Sequence, residues 1–276
     1  MTDAREWTGS VGTTWAAQWQ RTDRSFANLA LHLDAAILAA APEAGRAIDI
    51  GCGAGATSLA LAAARPALSI TGIDLSPAMI HVARERAAGH PNLSFRAGGV
   101  EAALPGLAPA DLLYSRHGVM FFDDPRAGFT MLRQAAKPGA RLIFSCFRAA
   151  ALNPWVSDVT VAILGGPPPR PAGYAPGPFA FADPAFVEAI LSATGWQSNA
   201  PMPVDFTYRG GSGADPVADA LDFFQHIGPA APLLRAAPPG DRAGMIDRLR
   251  VVIERHATAE AVDFPAAAWL WSASAN

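Results

Sequence analysis

Short apolar segments alternate with helical segments over residues 46–148, and this alternation restricts the possible folds more than any other feature. Strands that alternate with helices are joined by right-handed crossovers and form a parallel sheet with helices on both faces. The sequence therefore predicts an α/β fold with a doubly wound, mostly parallel sheet. The predicted strands cover residues 46–50, 68–73, 93–96, 110–115 and 140–147, and the predicted helices cover residues 56–64, 76–88 and 125–136.

The rest of the chain adds two strands to this core. Residues 196–208 and 264–274 are apolar enough to extend the sheet, which gives seven strands, with the last antiparallel to the others. Further helices are expected at residues 153–164, 183–193, 215–227 and 241–256. We expect a single domain over residues 1–276, with an N-terminal helical cap at 1–45, a core at 46–148, and inserted segments on the substrate side at 149–182 and 210–260.

Composition and charge exclude several classes of protein. Of the 276 residues, 51% are hydrophobic and 16% are charged, and the formal net charge is −3. The hydrophobic fraction excludes a mainly disordered chain, and a slightly acidic chain without a basic run lacks the positive surface that nucleic-acid binding needs. No segment reaches 18 consecutive apolar residues, and Cys52 and Cys146 suggest neither a disulfide nor a metal site. We expect a cytoplasmic protein with a small-molecule substrate, no nucleic-acid partner and no membrane span; the sequence indicates no oligomeric state.

A glycine-rich turn, Asp49-Ile50-Gly51-Cys52-Gly53-Ala54-Gly55, follows the first predicted strand. Such glycines let the backbone turn tightly and let a ligand approach it at the carboxyl end of the strand. The second strand ends at Asp74, whose carboxylate can accept hydrogen bonds from both ribose hydroxyls. The sequence therefore predicts an adenosine-containing ligand.

The glycine-rich turn and Asp74 are compatible with two such ligands, NAD and S-adenosylmethionine. Gly51, Gly53 and Ala56 match the dinucleotide pattern GxGxxG/A, and both NAD and S-adenosylmethionine contain the ribose. Asp49 favours S-adenosylmethionine, because a carboxylate at the end of the first strand suits an ammonium group and not a pyrophosphate.

Four motifs, in order, resemble those of class I S-adenosylmethionine-dependent methyltransferases. They are AIDIGCGAG at residues 47–55, TGIDLSPAMI at 71–80, DLLYSRHGVMFFDDP at 111–125 and KPGARLIFSCF at 137–147. The likeness covers residues 40–148 well. Within the class, SR-x-GVMFF-x-DP and the later GPFAFADP resemble a bacterial subgroup similar to the ubiquinone and menaquinone C-methyltransferases. The resemblance implies a Rossmann-like fold and S-adenosyl-L-methionine as the cofactor.

The resemblance also implies a cofactor role for individual residues. Asp49 and the glycine-rich backbone would hold the amino-acid part, and Asp74 the ribose. Gly99 occupies a place where such proteins often carry an acid for the adenine amino group, so this contact is missing or Glu101 supplies it. The expected cofactor-binding residues are Asp49, Gly51, Cys52, Gly53, Gly55, Asp74, Leu75 and Met79 against the adenine, the backbone amides of Gly99 and Val100, and Ser115 on the path to the substrate.

A general base is needed only when the atom that accepts the methyl group must lose a proton. His117 follows the predicted fourth strand and has a near-neutral reference pKa, so it is the predicted catalytic residue. Alternatively, His117 only shapes the site, because related proteins often have an apolar aromatic residue at this place. Two further candidates for the base are His226 and Tyr174. No metal site is expected.

The expected function is methyl transfer from S-adenosylmethionine to a small organic acceptor. Aromatic residues and prolines with little charge in the inserted segments favour an apolar or aromatic acceptor. Three alternatives are weighed against it. A nicotinamide- or flavin-dependent oxidoreductase is disfavoured because Lys137 is the only lysine, and a non-catalytic binder because Asp49 and Asp74 are intact. The net charge disfavours a methyltransferase acting on RNA or protein.

Overall fold

The computed structural model describes residues 4–168 and 173–275 of the chain. The helices are α1 (Ala4–Thr8), α2 (Ser10–Ala17), α3 (Trp19–Ser25), α4 (Ala27–Ala40), α5 (Ala56–Ala64), α6 (Pro77–Arg86), α7 (Val100–Ala103), α8 (Pro125–Gln134), α9 (Pro154–Leu164), α10 (Pro184–Ala193), α11 (Pro216–His226), α12 (Ala230–Ala236) and α13 (Pro239–Arg255). The strands are β1 (Gly45–Ile50), β2 (Leu68–Asp74), β3 (Leu93–Ala97), β4 (Ala110–Arg116), β5 (Ala136–Phe147), β6 (Trp196–Ser198), β7 (Met202–Ser212) and β8 (Ala261–Ala275).

The sheet has the doubly wound order β3-β2-β1-β4-β5-β8-β6, and β7 also pairs with β8. Strands β1 to β5 are parallel, and β8 is antiparallel to β5, β6 and β7. The predicted α/β fold class and the antiparallel last strand are confirmed. The chain reverses its winding direction between β1 and β4, and ligands bind at the carboxyl ends of the strands at such a point.

The sheet has eight strands and not the predicted seven, because residues 196–208 do not form one continuous strand. The ladder is interrupted between β6 and β7, where Pro201 has no N–H to donate. The two pieces lie along the same edge of β8: β6 pairs with Ala273–Ala275 and β7 with Ala261–Leu270.

Helix α4 buries one apolar stripe against the rest of the protein. On α4, Leu29, Leu33 and Ile37 follow one another at four-residue spacing and are at most 1% exposed. Burying one such side chain stabilises the fold by about 1.5–3 kcal/mol. This stripe fixes the N-terminal helices against the body of the protein.

The N-terminal region contains four helices in residues 4–40, and a break at Gln18 separates α2 from α3. Gln18 has φ −105° and ψ 15°, which are not helical angles. Trp15 and Trp19 therefore do not lie on one continuous helix. Arg21 and Arg24 of α3 form ion pairs with Asp219 of α11, at 2.9 and 2.7 Å, which attach α3 to the C-terminal half.

The two predicted insertions contain helices and irregular segments. Residues 169–172 of the first lie outside the described residues, and residues 173–182 contain turns but no helix or strand. The Gly177 N–H donates to the Met120 carbonyl at 3.1 Å, which attaches this segment to the loop after β4. In the second insertion α11 and α13 lie where helices are predicted, and α12 is an additional short helix. In the described parts of the chain, no helix has the length and apolarity that crossing a membrane requires.

Candidate active site

A cavity of about 550 Å³ lies at the carboxyl ends of the parallel strands. The turns after β1, β2 and β3 line one side of it, which we call the β1–β3 side. Residues at the carboxyl ends of β4 and β5, together with segments at 155–156, 176–179 and 226–235, line the β4–β5 side, and helices α1 to α3 cover both. The volume is within the usual range for small-ligand sites.

The glycine-rich turn has backbone angles that favour glycine. The angle φ is +67° at Gly51, +55° at Gly53 and +82° at Gly55. A Cβ atom on Gly51 would lie 2.9 Å from the Gly118 Cα, so no larger residue fits there. The N–H groups of Gly51 and Cys52 both donate to the Ile73 carbonyl, at 2.8 and 3.0 Å. These two donors are therefore already engaged within the protein.

Substituting Gly51 with alanine is expected to lower the melting temperature by about 3–10 °C, because the strained angle and the close contact cost about 1–3 kcal/mol. Thermal unfolding followed by circular dichroism measures this. Gly89→Ala is the matched control, since a Cβ atom there meets nothing within 4 Å. Equal melting temperatures for the two variants would show that the turn tolerates a side chain.

Asp49 is buried beside this turn, and 1% of its surface is exposed. The Ser58 hydroxyl donates to Asp49 Oδ2 at 2.6 Å. Burial raises the pKa of Asp49 to about 7, against the opposing effects of the Ser58 hydrogen bond and the positive charge of Arg116. A nearby cation favours the ionised form of such a carboxyl group.

Asp74 is already hydrogen-bonded through both carboxylate oxygens. Its Oδ2 accepts from the Gly53 N–H at 2.8 Å, and its Oδ1 accepts from the Ser76 N–H at 2.9 Å. A carboxylate has about four acceptor positions, so each oxygen keeps one for a ligand hydroxyl. Burial raises the pKa of Asp74 in spite of these two bonds.

The cavity is also lined by Cys52, Gly53, Leu75, Met79, Gly99 and Val100. Gly55 is not among the described lining residues; a Cβ atom on it would lie 2.8 Å from the Phe95 ring, so its cofactor contact stays a prediction. Met79 is 6% exposed and packs with Trp15 and Trp19. A Cβ atom on Gly99 would lie 2.3 Å from Glu101 Oε1. Glycine at this position therefore leaves room for the Glu101 carboxylate, which supports the alternative that Glu101 takes the place of the missing acid.

Ser115 lies beside the cavity but is not among the described residues that line it. Its hydroxyl donates to the Ile50 carbonyl at 2.7 Å and accepts from the Gly118 N–H at 3.0 Å. The side chain is fully buried. Ser115 therefore holds the ends of β1 and β4 together, and its place on a substrate path stays a prediction.

His117 lines the cavity on the β4–β5 side and has an unusual backbone. Its φ is +59°, which costs about 1–2 kcal/mol for a residue with a Cβ atom. The ring stacks on Phe147 with centroids 4.0 Å apart and lies 5.3 Å from the Phe26 ring. Burial, with the charge of Arg116, lowers the pKa of His117 to about 3. A histidine with this pKa is a weak base.

The two other candidate bases differ in their position relative to the cavity. His226 is at the exposed rim, and its Nδ1 is 2.8 Å from the Asp222 carbonyl oxygen. The Tyr174 hydroxyl donates to the Phe122 carbonyl at 2.6 Å, and burial raises the pKa of Tyr174 to about 12. Tyr174 is not among the described residues that line the cavity. Its hydrogen bond to the Phe122 carbonyl holds the inserted segment in place.

Arg116 and Asp23 are cavity residues that the sequence reasoning missed. Asp23 of α3 forms ion pairs with Arg116 at 3.2 Å and with Arg86 at 2.8 Å, and the Arg86 guanidinium lies 4.0 Å from the Trp19 ring centroid. These contacts attach α3 to the ends of β4 and α6. Arg116 has a sequence signal, because it lies between Ser115 and His117. Asp23 has no such sequence signal, because it lies 93 positions away from Arg116 and far from every predicted site motif.

Aromatic rings form the walls of the cavity on the β4–β5 side. Trp155 stacks on Tyr208 with centroids 4.2 Å apart, and Phe147 lies 5.2 Å from Trp155. We call this part of the cavity the aromatic chamber and define it by Phe26, His117, Phe147, Trp155, Phe179 and Tyr208. Its walls suit an apolar, flat ligand. Residues 4–168 and 173–275 contain no cluster of side chains that could hold a metal ion.

Comparisons with known proteins agree with this geometry. A family model described as a methyltransferase domain matches residues 47–139. The chain is 31% identical over 194 residues to trans-aconitate 2-methyltransferase of Methylobacterium radiotolerans, a match that covers 64% of this chain and 71% of that protein. It is also 31% identical over 103 residues to malonyl-[acyl-carrier protein] O-methyltransferase of Halalkalibacterium halodurans, but there the match covers only 36% of this chain and 38% of that protein.

A solved structure shows the same fold. Phosphoethanolamine N-methyltransferase 2 of Haemonchus contortus, in complex with S-adenosyl-L-methionine, has a TM-score of 0.54 and 14% identity, over 100% of this chain and 60% of that chain. These matches favour the methyltransferase interpretation over the nicotinamide-dependent alternative. With the glycine-rich turn and Asp74 inside the matched residues, the chain belongs to the class I S-adenosylmethionine-dependent methyltransferases.

Proposed function

We propose that this protein transfers a methyl group from S-adenosylmethionine to a small organic acceptor bound in the aromatic chamber. The observation that carries the proposal is one continuous cavity with two different sides. The β1–β3 side presents Asp49, Asp74 and Glu101, and the β4–β5 side presents aromatic rings. A methyl donor and an apolar acceptor therefore fit side by side in the same cavity.

The residues of the β1–β3 side fit the polar groups of the cofactor. In this proposal Asp49 binds the ammonium group, Asp74 the ribose hydroxyls and Glu101 the adenine amino group. Arg116 lines the same cavity close enough to Asp49 to oppose the rise in its pKa, and we assign it to the cofactor carboxylate. Leu75 and Met79 supply an apolar surface for the adenine ring.

Methyl transfer requires little of the protein beyond the correct placement of the acceptor and the methyl group. When bound, S-adenosylmethionine supplies an electrophilic methyl group on a sulfonium centre. The chain orients the acceptor in line with that methyl group and excludes water, and helices α1 to α3 cover the cavity for this purpose. His117, the predicted base, has a pKa of about 3, so it is too weak a base to hold a proton near neutral pH.

The names of the two relatives support an acidic acceptor, and one of the two names specifies oxygen as the accepting atom. One acts on trans-aconitate, and the other is an O-methyltransferase for a malonyl group on acyl-carrier protein. The finer resemblance to ubiquinone and menaquinone C-methyltransferases stays a proposal. So do the apolar or aromatic nature of the acceptor, the absence of a nucleic-acid partner, and the cytoplasmic location.

Formation of S-adenosylhomocysteine in the presence of candidate acceptors tests the proposal. The purified protein is incubated with S-adenosylmethionine and with small phenols, quinone precursors, amines or trans-aconitate, and the product is quantified by mass spectrometry. We expect acceptor-dependent formation of S-adenosylhomocysteine, and its loss in Asp74→Ala. A protein that binds the cofactor and methylates no acceptor of any of these classes would contradict the proposal.

A further inference from the structure

Both ring nitrogens of His117 are buried and have no hydrogen-bond partner. The residue is 7% exposed and lines the aromatic chamber. Buried polar side chains nearly always have a partner, and each exception needs an explanation. For His117 the explanation is a ligand, because the ring borders the space in which an acceptor fits.

The position of the His117 ring is fixed from several directions. Phe147 stacks on it with an interplanar angle of 10°, and Phe26 lies against it. Among the residues that the structure describes, His117 is the only one other than glycine with a positive φ. Such strain persists where the surroundings impose it, and it is concentrated at functional sites.

The imidazole is uncharged at neutral pH. Its burial and the positive charge of Arg116 both disfavour the protonated form. Besides Arg116, the other titratable residues that line the β4–β5 side of the cavity and its cover are Asp23, Asp123, Tyr208, His226 and Arg235. Asp23 is paired with Arg86 and Arg116, and burial raises the pKa of Tyr208. A neutral imidazole still offers one N–H donor and one lone pair.

We infer that the N–H of His117 binds an oxyanion, so that the acceptor is a flat, apolar molecule that carries an ionised oxygen, either a carboxylate or a phenolate. This inference rests on the proposed function. It adds the chemical class of the acceptor and makes His117 the residue that selects it. The stacked rings of the aromatic chamber contact the apolar part of the acceptor, and the imidazole N–H donates to its ionised oxygen.

An ionised acceptor removes the need for a base. The oxygen lone pair forms the new O–C bond, the C–S bond breaks with its electron pair returning to sulfur, and no proton moves. One negative and one positive charge disappear together. An apolar chamber favours such a step, because apolar surroundings solvate the two charges of the reactants poorly and these charges are absent from the products.

The test measures binding of two anionic probes and one neutral probe to the protein saturated with S-adenosylhomocysteine. The probes are benzoate, 4-nitrophenolate and benzyl alcohol. The visible absorbance of 4-nitrophenolate reports its ionisation state in the site, and displacement of this probe reports binding of the other two. We expect at least one anion to bind at least tenfold more tightly than benzyl alcohol, and 4-nitrophenol, where it binds, to be bound in its ionised form.

Two variants test the role of His117. His117→Phe keeps a ring that can stack on Phe147 but has no N–H, and we expect it to weaken binding of the preferred anion at least tenfold while benzyl alcohol changes less than threefold. His117→Asn tolerates a positive φ and keeps an N–H, so we expect it to retain anion binding within about fivefold. A preference for benzoate assigns a carboxylate acceptor, and a preference for 4-nitrophenolate assigns a phenolate.

Two results would overturn the inference: equal affinity for anions and benzyl alcohol in the unmodified protein, or unchanged anion affinity in His117→Phe. Calorimetry with S-adenosylhomocysteine is done first on each protein. Failure to bind S-adenosylhomocysteine contradicts the proposed function, whereas normal binding of it without anion preference contradicts only the role of His117.

Discussion

Replacing Asp74 with alanine is expected to weaken S-adenosylmethionine binding by roughly 10²- to 10⁴-fold. Two ribose hydrogen bonds to a charged acceptor are lost at about 1.5–3 kcal/mol each, and a factor of ten corresponds to about 1.4 kcal/mol. Isothermal titration calorimetry measures the change. The expected loss is large because Asp74 is the predicted ribose ligand and both of its oxygens are already held in place.

The control for this variant separates binding from folding. Asp74→Ala also leaves the Gly53 and Ser76 N–H groups without their partner, so its stability must be measured by thermal unfolding. Asp74→Asn keeps the shape and one oxygen acceptor, and we expect an intermediate affinity. A folded Asp74→Ala protein with unchanged affinity would show that the ribose is bound elsewhere.

The second large effect is a rise in cofactor affinity with pH, caused by Asp49. The pKa of Asp49 is raised to about 7 without ligand, and a bound ammonium group favours the ionised form and lowers this pKa. Binding therefore releases a proton, and affinity increases as the pH rises towards 7. We expect a gain of about twentyfold between about pH 5.5 and 7.5 and a plateau above that range.

Asp49→Asn tests the origin of this dependence, because it removes the titrating group and should flatten the profile between about pH 5.5 and 7.5. Ser58→Ala should move the profile to higher pH, since the Ser58 hydrogen bond opposes the rise of the Asp49 pKa. The same linkage predicts that Asp49 makes the ligand-free protein less stable as pH rises from about 4 to 7, because the folded state binds the proton more tightly than the unfolded state. A pH dependence that Asp49→Asn retains in full would contradict the assignment.

The parallel core could be predicted because its signals are local. Each strand of β1 to β5 is a short apolar run beside a helix, and the glycine-rich turn and Asp74 follow strand ends directly. The carboxyl ends of parallel strands meet at one edge, so the residues of the β1–β3 side could be placed together from the sequence alone.

The remaining features depend on partners far along the chain. The break between β6 and β7 is visible only once both pieces pair with β8. The ion pairs of Asp23 join α3 to residues 63 and 93 positions away. His117 has a near-neutral reference pKa, but its burial against Phe26 and Phe147 lowers the actual value to about 3. Sequence reasoning could find this histidine and not its protonation state.

Calorimetric titration of the purified protein with S-adenosylmethionine, S-adenosylhomocysteine and NAD in parallel tests the central claim most directly. The geometry of Asp49, Asp74 and Glu101 predicts micromolar binding of the two sulfur compounds and no signal for NAD. Binding of NAD alone would contradict the cofactor assignment, beginning with the role of Asp49.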